Sequence, residues 1–137
     1  MQFMMIVKAR PDYEAGAPPN PELLAVIAKH SEEAVKAGIL VASGGLLPSS
    51  KGARVNVKGG KLSVTDGPFA ETKELVGGFA ILNASSREEA IQMGKAFMQL
   101  HIDVLGDVYE GELEIRQMWE PGKECQEPAV AAKQKAS

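Results

Sequence analysis

Val76-Gly77-Gly78-Phe79-Ala80-Ile81-Leu82-Asn83 is the stretch on which the fold turns. Its length and its glycine-marked start predict a strand, and Phe79 to Leu82 leave neither face polar. A strand that is apolar above and below needs cover on both sides. The pair Gly77-Gly78 marks a bulge or a close backbone approach. Phe3 to Ala9 has the same character, with Phe3, Met5 and Val7 on one face and Met4 and Ile6 on the other. Both strands therefore need cover on both faces.

Downstream, Ser85 or Ser86 can cap a helix, each with a glutamate three residues on, Glu88 or Glu89. Ala90, Ile91, Gly94, Phe97, Met98 and His101 then fall at helical spacing. A connection near residues 106–111 leads to a last strand over 112–119. Upstream, the Pro- and Gly-rich residues 10–19 predict an open loop. Asn20 caps a first long helix with Pro21 at its first position, and Leu23, Leu24, Ile27, Ser31, Ala34 and Val35 form its apolar stripe up to Gly38. Residues 39–43 read as the second strand.

Between the second and third sheet strands lies a hairpin, 54–58 and 61–65, joined by Gly59-Gly60, a pair suited to the mirror-image two-residue turns. Counting outward places Val57 opposite Leu62 and Val55 opposite Val64 on one dry face. With the hairpin set aside, the order is strand, helix, strand, strand, helix, strand. The expected fold class is therefore α+β, a ferredoxin-like βαββαβ arrangement with an inserted β-hairpin. Two helices roof one face of its sheet. A second copy of the same sheet is the simplest cover for the other, which predicts a homodimer. The competing cover is the chain's own hairpin, whose apolar surface is four side chains.

The 137 residues suit one domain, and 45% apolar against 24% charged is ordinary globular composition. A net charge of -3 provides no broad positive field, so neither nucleic acid nor an anionic membrane is an expected partner. No apolar run reaches the length of a membrane span. Cys125 is the single cysteine, so no intramolecular disulfide forms, and a cytoplasmic setting is expected. Residues 121–137 turn polar and rich in Ala, Lys and Gln, and read as a mobile tail beyond a domain of residues 1–120.

Thr65-Asp66-Gly67-Pro68-Phe69-Ala70-Glu71-Thr72-Lys73-Glu74, with Gly77-Gly78-Phe79 behind it, resembles the signature of the YCII-related, DGPF-domain proteins. The opening nine residues, the run from Gly44 to Val55, Arg87 to Ile91, and Glu112 to Arg116 with Trp119-Glu120 agree in order. The resemblance implies a dimeric α+β barrel, an architecture shared with small isomerases and monooxygenases, and activities that are largely unassigned. It also implies a link to sigma factors of the extracytoplasmic-function type. Some relatives carry a His/Asp pair in a cleft beneath the first helix.

The candidate catalytic residues are His30 and Asp66. His30 lies at the margin of the first helix's stripe, beside Ile27 and Ala34, where an imidazole titrating near neutrality can act as a general base or remain an ordinary helix-edge histidine. Two roles are open to Asp66: orienting that imidazole, or hydrogen-bonding the backbone of its own turn. The candidate ligand-binding residues are Phe69, Glu71, Lys73 and Arg116. Glu71, Lys73 and Glu74 either line a cleft mouth or pair with Arg54 or Arg116. Arg116 points to the face opposite Leu113 and Ile115, suited to a substrate carboxylate or to an intersubunit salt bridge. No metal and no cofactor are expected, since two histidines and a tail cysteine make no zinc set and no Gly-rich phosphate loop occurs, and without a Gly-x-Ser-x-Gly elbow Ser/His/Asp hydrolysis has no support. The expectation is a small organic ligand, with cofactor-independent acid/base chemistry such as isomerisation or a lactone-type rearrangement. The alternative is a non-catalytic regulatory or interaction module.

Overall fold

A computed structural model describes residues 1–71 and 74–122. Lys73, Cys125 and nearly all of the expected tail lie outside the described residues. Strand β1 (Gln2–Lys8) leads into a single helical turn, α1 (Pro11–Glu14), where the sequence predicts unbroken loop. Pro11 supplies a preset φ at the start of the turn, with Asp12 directly behind it near the positive end. Four residues are too few to show a helical period, which is why the sequence hides it.

Helix α2 (Pro21–Lys36) begins as expected, with the Asn20 side chain accepting from the Leu23 N–H at 3.1 Å. Its end is a Schellman motif. Gly38 adopts φ +74°, its N–H donates to the Val35 carbonyl at 3.0 Å, and the Ile39 N–H donates to the Ala34 carbonyl at 2.9 Å. This use of Ile39 delays strand β2 to Leu40–Gly45.

Hairpin strands β3 (Ala53–Lys58) and β4 (Lys61–Asp66) pair in the expected register, Val57 with Leu62 and Val55 with Val64. Gly59 and Gly60 both take positive φ, +58° and +74°, as a type I′ turn requires. Every residue of both strands is exposed, and Val57 and Leu62 each keep 73% of their surface. The hairpin therefore does not fold back over the sheet.

Strand β5 (Val76–Asn83) pairs on one side with β1 and on the other with β2. The β1 register slips where Val7 faces Gly78 and Lys8 faces Val76, leaving Gly77 as the bulge. A Cβ on Gly77 would stand 3.1 Å from the Ala9 Cα, so the bulge is also a close approach. Helix α3 (Arg87–Leu105) is capped by the Ser86 hydroxyl, which accepts from the Glu89 N–H at 3.1 Å. The Glu89 carboxylate in turn takes the Ser85 N–H and hydroxyl at 3.2 and 2.7 Å, and those bonds hold it below the usual carboxylate range. Strand β6 (Leu113–Gln117) closes the sheet against β1.

The sheet order is β2-β5-β1-β6, antiparallel throughout, with both long helices on one face. This is the ferredoxin-like α+β arrangement. Phe3, Met5, Leu82, Ala84 and Ala90 form the buried core on the helical side. On the other side, Met4 faces Ile81 and Ile6 faces Phe79 across the two central strands. These four side chains are half-buried.

Candidate functional site

Small side chains open a space between the layers. Gly78 and Ala80 of β5, Ala34 of α2 and Ala37 at its C-terminal cap, and Gly94 of α3 all border it. Gly94 lets α3 pack closely on β6: a Cβ there would meet Ile115 Cδ1 at 2.8 Å and Leu113 Cδ2 at 2.9 Å. Helix α2, by contrast, buries none of its residues. Beneath it lies a cavity of about 570 Å³, walled mainly by Met5, Leu24, Ile27, Leu82, Met93 and Phe97.

His30 of α2 is half-buried and lines this cavity together with Ile27 and Ala34. Its ring lies 6.3 Å from that of Phe97. The other candidates are elsewhere. Asp66, Phe69, Glu71 and Arg116 do not border the cavity. Asp66 is exposed at the end of β4 and caps nothing: two residues on stands Pro68, which has no N–H, and the Gly67 N–H is taken by the Gly52 carbonyl at 3.0 Å. Arg116 is 73% exposed on the opposite sheet face and pairs with Glu114 at 3.6 Å.

The Asp-Gly-Pro-Phe turn instead clamps three segments. Gly67 presses on the Ser49 backbone so closely that a Cβ would fall 1.7 Å from its carbonyl oxygen. The Phe69 N–H donates to the Ser49 hydroxyl at 3.0 Å, and Ser49 donates both its N–H and its hydroxyl to the Glu14 carboxylate. Arg54 covers the Phe69 ring at 3.9 Å and reaches Glu71 at 3.1 Å. The hydrogen bond from that arginine holds the Glu71 carboxyl below the usual carboxylate range. Of the two roles foreseen for Glu71, the pairing with Arg54 is the one formed. Glu74 pairs with Lys8, which also holds Glu114 at 3.1 Å.

One cavity residue escaped the sequence reading. His101 is 6% exposed and lines the cavity from α3. Its Nδ1–H donates to the Phe97 carbonyl one turn back at 3.1 Å, the Phe97 ring meets it edge-on at 5.0 Å, and Tyr109 stacks on it at 5.1 Å. Arg10 lies over the far partner, 5.0 Å from the Tyr109 centroid. A helical period counts His101 simply as one more inward residue. The available signal was a titratable side chain at such a position.

Burial pushes the His101 imidazole below its usual value, against a smaller opposing effect of the bond to Phe97. In the unfolded chain the ring takes up its proton near about pH 6.5. The native ring does so only at lower pH, so below about pH 6.5 the unfolded state holds more protons and stability falls. The contribution is full above that point and is lost as pH drops through the native value. Urea midpoints measured from about pH 7.5 to about pH 5 should decline more steeply for the wild type than for His101→Asn. Parallel slopes would show that the ring is not buried in its neutral form.

A ferredoxin-like α+β domain with a ligand-sized space between its layers is the class that this fold and site define. The sequence model of the YCII-related domain matches residues 1–104, and the chain belongs to the YCII-related family. Strand β6 completes the sheet beyond the matched stretch. A search of curated proteins finds no match.

Proposed function

We propose that the chain binds a small organic molecule in the cavity beneath α2 and acts on it by cofactor-independent acid/base chemistry, as a homodimer joined through the open sheet face. The observation that carries this reading is the cavity itself. Its size falls within the range of about 300–1,000 Å³ usual for small-molecule sites, its walls are chiefly apolar, and imidazoles stand on it. In this reading His30 is the base, since its half-exposed ring can exchange protons with solvent while facing a bound molecule. Asp66, Phe69, Glu71 and Arg116 then act outside the cavity of their own chain, in the turn clamp and on the sheet face. Isomerisation of a compound with an acidic C–H or O–H is the reaction class that fits two imidazoles on an apolar wall.

Toluene is a suitable first probe, because it matches the walls and offers no hydrogen bond. Titration of the full chain should shift methyl resonances of Ile27, Leu82 and Met93, and Ala80→Trp, which fills the space, should abolish those shifts. Shifts confined to Met4 and Ile81 on the other face would sink the cavity reading. For a compound that is turned over, His30→Gln should lower kcat by on the order of a hundredfold or more. Unchanged turnover would remove His30 from the chemistry.

A further inference from the structure

We infer that His101 is the ligand-selecting polar contact of the cavity, with Nε2 accepting the hydroxyl hydrogen of a neutral, apolar ligand of the phenol or enol class. This inference rests on the cavity reading above and adds the ligand class to it.

The tautomer follows from the bond already described. A carbonyl oxygen can only accept, so the hydrogen bond to Phe97 places a proton on Nδ1, and the neutral ring carries a lone pair on Nε2. Among the described residues Nε2 has no hydrogen-bond partner, yet no fully buried side-chain nitrogen or oxygen lacks one. The atom therefore borders open space, and the ring is part of the cavity wall. An unpaired acceptor beside an apolar space is costly to leave unmade, and a ligand hydroxyl is the group that satisfies it.

Rigidity separates His101 from His30. The His101 ring is held by an edge-on phenylalanine, a stacked tyrosine and a helix carbonyl, so its acceptor has a fixed direction before any ligand arrives. His30 is half-exposed and shows only the distant Phe97 ring as a neighbour of this kind.

Charge defines the rest of the ligand. Among the described residues no lysine or arginine lines the cavity, and Glu33 is the one carboxylate that does. A carboxylate or phosphate ligand would meet no cation among those residues, at a large desolvation cost. Burial meanwhile keeps His101 uncharged. A phenol or enol stays neutral near pH 7, offers one strong donor, and buries its remaining surface against Met5, Leu82 and Met93.

The test compares para-cresol, toluene and para-toluate on the full-length chain, with side-chain nitrogen resonances of histidine as the readout. In the free protein His101 should show a protonated Nδ1 and a bare Nε2. Adding para-cresol should move the Nε2 resonance and leave Nδ1 in place. In His101→Asn, which can still donate to the Phe97 carbonyl, the ratio of para-cresol to toluene affinity should fall by on the order of tenfold. Para-toluate should bind more weakly than either neutral probe. A protonated Nε2 in the free protein, an Nε2 resonance that para-cresol leaves unmoved, or an affinity ratio unchanged by His101→Asn would each overturn the assignment while leaving toluene binding, and thus the cavity reading, intact. Failure of toluene to enter would overturn both. The resonance measurement needs no variant, so misfolding of His101→Asn does not remove the test.

Discussion

Gly67→Ala should destabilise the domain by about 3 kcal/mol or more, among the largest effects of any single methyl group in this chain. The added carbon would stand 1.7 Å from the Ser49 carbonyl oxygen and 2.6 Å from its carbon. Both are backbone atoms, so no side-chain rotation relieves the overlap. The turn must lift away, and with it go the Phe69 N–H bond to Ser49 and the seat of the Phe69 ring under Arg54. The measurement is the urea midpoint, with an unchanged slope showing that the unfolded state is the same. Gly45→Ala is the control: no heavy atom lies within 4 Å of its added carbon, so it should change stability by no more than about 0.5 kcal/mol. Equal midpoints for the two variants would show that the turn does not seat on Ser49.

In the homodimer proposed above, Ile81→Glu should convert a particle of two chains into one of a single 14.6 kDa chain. Ile81 stands beside Met4 and Ala42 in the centre of the uncovered sheet face. In a two-fold pair of facing sheets the substitution occurs twice, once from each side. Burying an unpaired carboxylate costs several kcal/mol after relaxation. Taking about 3 kcal/mol per copy, the dissociation constant rises on the order of ten-thousandfold. Sedimentation at micromolar concentration reads the mass, and circular dichroism checks that the half-buried position leaves the fold in place. Lys95→Glu, on the exposed side of α3, should leave the mass at two chains. A wild-type protein that sediments as one chain would remove the homodimer outright.

Period and punctuation carried most of the fold. Strand β5 matched its expected bounds because Gly77-Gly78 and Asn83 bracket it, and the hairpin register followed from Gly59-Gly60, whose positive φ values admit one turn type. Helices α2 and α3 were legible through Asn20 and Ser86, whose side-chain oxygens are cheap local partners for the first N–H groups. Turn α1 was hidden by its brevity. The site was harder to read because a cavity is a property of separation between layers, set here by how deeply Gly94 seats α3 and by how little α2 buries. No periodicity reports that distance. Of the two roles open to Asp66, bonding its own turn required an N–H that Pro68 lacks, a fact visible in the sequence itself. His30 was found because it sat on the edge of a stripe. His101 was overlooked because it sat in the middle of one.

The Asp-Gly-Pro-Phe motif serves as a rivet: it fastens the root of the hairpin to the polypeptide around Ser49 and, through Glu14, to the turn after the first strand. A fastener travels with the chassis whatever the engine does. In this chain the tetrapeptide therefore speaks of how the hairpin is attached, and the residues that wall the hollow under α2 belong to a separate part of the molecule.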